Sequence, residues 1–186
     1  MTVTLAHTPR FETERLILRA PEASDWEAAG PFLVSERARH IGGPFTATQA
    51  WREYAQDLGH WVLRGWGLFS IEHRESGRTL GCAGPYHPEG WAENEFGWSL
   101  WRPESEGKGY AREAMERLRA YAYGELGWTT AVSYIDAENA RSIALAERLG
   151  CRHDPGAPLP KADCWEELAP GEVLVYRHPA PGEVAA

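Results

Sequence analysis

The sequence predicts a mixed α/β domain: an antiparallel meander of strands, then a strand–helix–strand unit, with helices on both faces of one sheet. Three observations carry that reading. Period-two segments cluster between residues 67 and 101, helical periodicity flanks them on both sides, and a glycine-rich loop joins the last meander strand to a helix. With 186 residues, 43% of them hydrophobic, the chain can bury a sizeable core, and residues 1–186 are read as one domain with its core at about 10–178.

The first strand is residues 15–19, in ERLILRA. Ser24 and Glu27 have the spacing of a capping box, so a helix is expected to start there; Gly30-Pro31 should leave it short or kinked. Thr46 and Gln49 make a second box. Behind it Trp51, Tyr54, Ala55, Leu58, Trp61 and Val62 recur at helical spacing, which predicts an amphipathic helix with that stripe in the core. Residues 67–72 (GLFSIE) and 79–83 (TLGCA) read as strands about a turn-rich RESG. Residues 95–101 (EFGWSLW) alternate, with Phe96, Trp98 and Leu100 on one face. The loop before them, 85–94, is long enough to shape a substrate site or to serve as a plain connection. Beyond the glycine loop, Ala111, Ala114, Met115, Leu118, Tyr121 and Ala122 form a helical stripe ending near Gly124 and Gly127. Residues 131–135 (AVSYI) read as a buried strand and 139–149 as a helix stopped by Gly150. A proline-rich excursion, 154–170, precedes a last strand at 173–176 and a frayed tail.

Charge narrows the function. The formal net charge is −8, with 27 acidic against 19 basic residues and no Lys/Arg cluster, which argues against nucleic-acid or anionic-membrane partners. The three cysteines, Cys82, Cys151 and Cys164, lack paired metal-ligand spacing; they read as small core hydrophobes in a reducing compartment, and no metal is expected. The opening MTVTLAHTPRFETERL has no basic-then-apolar signal pattern, and no apolar run approaches a span of roughly 20 residues, so a cytoplasmic location is expected. Trp61, Trp66, Trp91, Trp98 and Trp101 crowd the middle of the chain, filling core or walling a cleft.

The most informative segment is Glu106 followed by Gly107, Lys108, Gly109, Tyr110 and Ala111. Small residues there let backbone approach a ligand, and converging N–H groups at a helix start suit a pyrophosphate. A Walker loop would need Ser or Thr after Lys108, and a dinucleotide fingerprint would need glycine where Arg112 stands. A plain strand-to-helix turn is the remaining alternative.

The stretch EFGWSLWRPESEGKGYAREAMERL resembles the fourth strand, pyrophosphate loop and third helix of GNAT acetyltransferases. NARSIALAERLGC is similar to the helix after the family's fifth strand, and ETERLILRAP to its first strand, especially in the ribosomal-protein N-terminal acetyltransferase branch. The resemblance implies a GNAT-like mixed sheet of about seven strands, splayed between its fourth and fifth. It implies acetyl-CoA as co-substrate, with the pantetheine arm against the backbone near Leu100 and Trp101 and the pyrophosphate on Gly107, Lys108, Gly109, Tyr110 and Ala111. Asn139 and Ser142 belong to the same cofactor-side set. It further implies direct acetyl transfer to a primary amine of a small molecule or peptide, by a monomer or homodimer. A non-catalytic CoA-binding or interaction module is the alternative.

Some positions depart from the family. Glu106 stands where Gln or Arg is usual, and Ala146 where a tyrosine often protonates the leaving thiolate; Ser142 is the nearest substitute acid, or else an ordinary first-turn serine with water protonating the thiolate. For the general base Glu95 is the first candidate, with Glu93 and His87 as alternatives. Phe45, Tyr86, His87 and Trp91 are expected to border the acceptor, or else to cover the core.

Overall fold

A computed structural model of the chain describes residues 5–161 and 171–183. Its eight strands are β1 (Phe11–Glu12), β2 (Leu16–Arg19), β3 (Phe69–His73), β4 (Thr79–Tyr86), β5 (Glu95–Leu100), β6 (Val132–Asp136), β7 (Arg152–His153) and β8 (Val173–Arg177). They form one sheet in the order β1-β2-β3-β4-β5-β6-β8-β7, antiparallel throughout except where β5 meets β6. The two two-residue strands raise the expected count of about seven. They also shift the numbering, so the family's fourth and fifth strands are β5 and β6. The helices are α1 (Trp26–Leu33), α2 (Ala47–Arg64), α3 (Tyr110–Gly124) and α4 (Ala140–Arg148). Cys164 and most of the proline-rich excursion, 162–170, lie outside the described residues.

Alternation decides which strand residues meet which helices. Leu16, Leu18, Phe69, Ile71 and Phe96 join Ala114, Met115 and Leu118 of α3 and Leu145 and Ala146 of α4 in one fully covered core. Across the sheet, Cys82 and Trp101 pack with Ala28, Ala29 and Phe32 of α1 and Ala50 and Tyr54 of α2. The meander is tight: a Cβ on Gly81 would fall 2.0 Å from the Ser99 carbonyl oxygen, so only glycine fits between β4 and β5 there.

Two local expectations need correction. Ser24 does not cap α1. A 3-10 turn, Ala23–Asp25, intervenes, and it is the Asp25 carboxylate that accepts from the Glu22 N–H at 2.9 Å. That carboxylate also takes hydrogen bonds from Arg19 Nη1 and Nη2, Ser70 Oγ and Thr79 Oγ1 at 2.6–2.9 Å, tying the turn to β2, β3 and β4. Burial alone would raise the Asp25 pKa; its partners hold it below the usual value. On α2 the Thr46–Gln49 box forms as expected. The stripe behind it does not all turn inward: Tyr54 and Trp61 are buried, but Trp51, Ala55 and Val62 are exposed, and His60 is buried instead.

Candidate active site

The gap between β5 and β6 organises the site. The two strands pair only at Glu95↔Val132, with Val132 N–H donating to the Asn94 carbonyl at 2.9 Å. One step on, the Ser133 hydroxyl substitutes for main chain, donating to the Phe96 carbonyl at 2.6 Å. Past that point no β5–β6 pairing is present among the described residues, so the strands part. The main-chain groups on that side of β5 then face an open slot. Strand parity says which they are. Trp101 N–H donates to the Leu80 carbonyl at 2.8 Å, toward β4, so by alternation the groups of Trp98 and Leu100 face the gap. The Leu100 carbonyl accepts from Arg37 Nη2 at 2.8 Å, which leaves its N–H toward the gap. The Trp101 main chain does not face the gap: its N–H is committed to β4, its carbonyl accepts from Arg37 Nη1 at 2.6 Å, and its ring is buried.

At the mouth of the gap lies the glycine loop. Gly107 and Gly109 have φ of +73° and +82°, conformations that L side chains rarely adopt. A Cβ on Gly107 would meet open space, and one on Gly109 would meet only the Arg15 guanidinium at 3.4 Å. Tyr110 opens α3 immediately after, so the loop N–H groups of Gly107, Lys108, Gly109, Tyr110 and Ala111 gather at a helix start with no side-chain cap. This is a cradle with room for a diphosphate, and the residues present fit that group. Arg15 braces it from below, donating to the Lys108 carbonyl and to Glu113 at 2.7–2.9 Å. Glu106 is paired with both Arg37 and Arg141.

On α4, Asn139 is the N-cap, its Oδ1 accepting from the Ser142 N–H at 3.1 Å. The Ser142 hydroxyl accepts from the Trp98 indole N–H at 3.2 Å, which links α4 to β5 and leaves the Ser142 O–H free to donate elsewhere. Ala146, where the family often places a tyrosine, is wholly buried in the core.

Glu95 sits at the start of β5 on the α2 side of the sheet, opposite Tyr86 of β4. It is 9% exposed, and burial pushes its carboxyl up to about 7, moderated by hydrogen bonds from Trp91 Nε1 at 2.5 Å and from the Tyr134 main chain. Tyr86 and Trp91 meet edge to face at 5.7 Å, and Tyr86 stacks on His60. Tyr86 OH accepts from Gln56 of α2 at 2.6 Å. On the same helix Asp57 is pushed up to about 7 by burial and by neighbouring Glu53, an acidic pair that the sequence reading did not single out.

The other candidates separate. Glu93 is locked to Arg177 by two bonds of 2.8 and 2.9 Å. His87 uses its ring Nδ1 on the Glu93 carbonyl and its N–H on His60 Nε2. Phe45 packs in the α1–α2 cluster, apart from the Tyr86–Trp91 group. Among the described residues no three His, Cys, Asp or Glu side chains gather to hold a metal ion, and no helix is long and apolar enough to cross a membrane.

Comparison with known proteins agrees with this geometry. Residues 15–152 match the acetyltransferase (GNAT) domain family. A solved acetyltransferase from Agrobacterium tumefaciens str. C58 is 36% identical, with 96% of this chain and 99% of that one covered and a TM-score of 0.82. The uncharacterized N-acetyltransferase YnaD of Bacillus subtilis (strain 168) is 25% identical over 157 residues, 82% of this chain and 89% of YnaD. Spermidine N-acetyltransferase from Vibrio cholerae, solved in complex with CoA and spermine, shares the fold with a TM-score of 0.69 at 16% identity, covering 92% of this chain and 99% of that one. The parted strands, the open glycine cradle and these matches together make the chain a member of the GNAT acetyltransferase family and an acyl-CoA-dependent acetyltransferase.

Proposed function

We propose that the chain acetylates a primary amine on a small molecule or peptide, with Glu95 as the general base. The observation that supports this is a buried carboxylate, pushed up to about 7 by burial, at the paired end of β5 and β6, two residues before the strands part. Such a group takes up a proton near neutral pH without holding it too tightly. Bound acetyl-CoA supplies an acetyl thioester, whose C–S bond is exchanged for the C–N bond of the product amide. The loop from Gly107 to Ala111 holds its diphosphate, and main-chain groups of Trp98 and the N–H of Leu100 hold its arm, the Leu100 carbonyl being taken by Arg37, so both partners are fixed in register. Glu95 takes a proton from the acceptor ammonium, directly or through water. The Ser142 hydroxyl, whose oxygen is already fixed by Trp98, donates a proton to the departing sulfur and is reprotonated, through solvent, by the second proton that the nitrogen sheds as the amide forms.

The acceptor enters from the α2 side, where Glu95 and the aromatic pair Tyr86 and Trp91 lie. Glu53, Asp57 and Glu95 make that side acidic, which suits an amine that arrives as a cation. The Vibrio cholerae spermidine N-acetyltransferase, a neighbour in fold whose complex holds CoA and spermine, supports a cationic amine acceptor. A thiol-release assay with acetyl-CoA over amino acids, polyamines and N-terminal peptides tests the reading. Turnover with one amine class supports it. Release no faster than hydrolysis across the whole panel, by protein that binds acetyl-CoA, would leave a cofactor-binding module and refute it.

A further inference from the structure

Resting on the cofactor reading above, we infer that Arg37 and Arg141 are phosphate-binding residues, and that Glu106 is a resident anion which the CoA diphosphate displaces from between them. Glu106 immediately precedes the glycine loop. Its Oε1 accepts from Arg37 Nη2 at 2.5 Å, and its Oε2 accepts from Arg141 Nη1. The two arginines come from opposite walls: Arg37 from the 3-10 helix Glu36–Ile41, Arg141 from the first turn of α4. Their shared carboxylate lies in the lining of a cleft of about 550 Å³, with Arg37, Arg39, His40, Asn139 and Arg141.

The arrangement is built for exchange rather than permanence. Arg37 also donates to the Leu100 and Trp101 carbonyls at 2.6–2.8 Å, so its guanidinium stays in place when Glu106 leaves. Arg141 is 83% exposed and, among the described residues, ion-pairs with Glu106 alone, so it can turn at little cost. A diphosphate carries more charge than one carboxylate and offers several oxygens to two planar forks, which favours the swap. The cleft is also a cationic place in a chain of net charge −8, with Arg37, Arg39 and Arg141 against Glu106 and Glu138. Glu106 would then lower cofactor affinity and keep the arginine pair assembled between turnovers. This explains a carboxylate beside a phosphate cradle without requiring it to touch the phosphate.

The test is calorimetric titration of CoA, without an acceptor, into wild type, Glu106→Gln and Arg141→Met at several salt concentrations, with thermal melting as the fold check. Glu106→Gln should bind CoA about threefold or more tightly, because the competing charge is gone. Arg141→Met, at an exposed site where folding is not at stake, should bind about fivefold or more weakly, with a shallower dependence of Kd on salt. If wild type binds CoA but Glu106→Gln binds equally or more weakly, or Arg141→Met is unchanged in both affinity and salt slope, the exchange is refuted while the cofactor reading stands. If folded wild type does not bind CoA, the cofactor reading fails and takes this inference with it.

Discussion

Replacing Glu95 with Gln keeps the size of the side chain and removes its basicity. With a pKa of about 7, the carboxylate is roughly half ionised at pH 7 and about nine-tenths ionised at pH 8. A positioned base contributes about 10²–10⁴-fold, so kcat at pH 8 should fall by that order while the Kd for acetyl-CoA holds. The wild-type rate should decline as pH drops below about 7, and the variant should lose that limb. Stability supplies an independent check. A folded pKa raised above the unfolded value means that the fold favours the protonated form. The penalty is absent below the unfolded value, grows between 4.5 and about 7, and is complete above that. Its size at pH 8 is about 3 kcal/mol. The amide escapes it, so Glu95→Gln should melt at or above the wild-type temperature at pH 8 despite its lost activity. The assay is steady-state thiol release paired with a melting curve at the same pH. A kcat within about twofold of wild type at pH 8 would refute Glu95 as the base.

Four further outcomes follow from the same geometry. Trp91→Phe removes the indole donor that lowers the Glu95 pKa, so the acidic limb of the rate profile should move to higher pH; an unmoved limb would dissociate the two residues. Asp25→Ala leaves Arg19 without its buried partner and should cost about 3–5 kcal/mol in urea unfolding, whereas a change near zero would mean that the network is not structural. Because the Asp25 carboxyl is held below its ordinary value, its contribution is present at neutral pH and lost as pH falls through that lowered value, so acid unfolding should be flatter in Asp25→Asn. Ser142→Ala should lower kcat by about tenfold with little change in amine KM, since water is a poorer acid; an unaltered kcat would remove Ser142 from the chemistry.

What could be read in advance was whatever is encoded locally. The 95–101 alternation, the α3 stripe, Gly150 at φ +81° and the glycines at 107 and 109 are each fixed by their own neighbours, and each appears where expected. Features that failed depend on partners distant in sequence. Ser24 looked like the cap because its spacing is right, but Asp25 is claimed by Arg19, Ser70 and Thr79 from three strands. On α2 the helical period was right and its phase uncertain, because Trp51 and Val62 are as apolar as Tyr54 and Trp61 yet face outward. The direction of the Trp101 amide follows from strand parity, though only once the β4–β5 register is known. The bridge from Arg37 to Glu106 spans 69 positions, and neither residue announces the other. Asp57 and Glu53 have ordinary helical spacing, and only burial against Tyr86 marks them.

The account rests most heavily on acetyl-CoA occupying the cradle at the mouth of the β5–β6 gap. Calorimetry of acetyl-CoA with wild type, Gly109→Asn and Gly109→Asp tests this directly. Both substitutions must adopt φ +82°, which Asn and Asp tolerate better than other side chains, and they differ mainly in one negative charge. The account predicts saturable binding by wild type, weaker binding by Gly109→Asn, and a further loss of about tenfold or more in Gly109→Asp that is partly recovered by salt. A folded wild-type protein that does not bind acetyl-CoA, or equal affinities in the Asn and Asp variants, would contradict it.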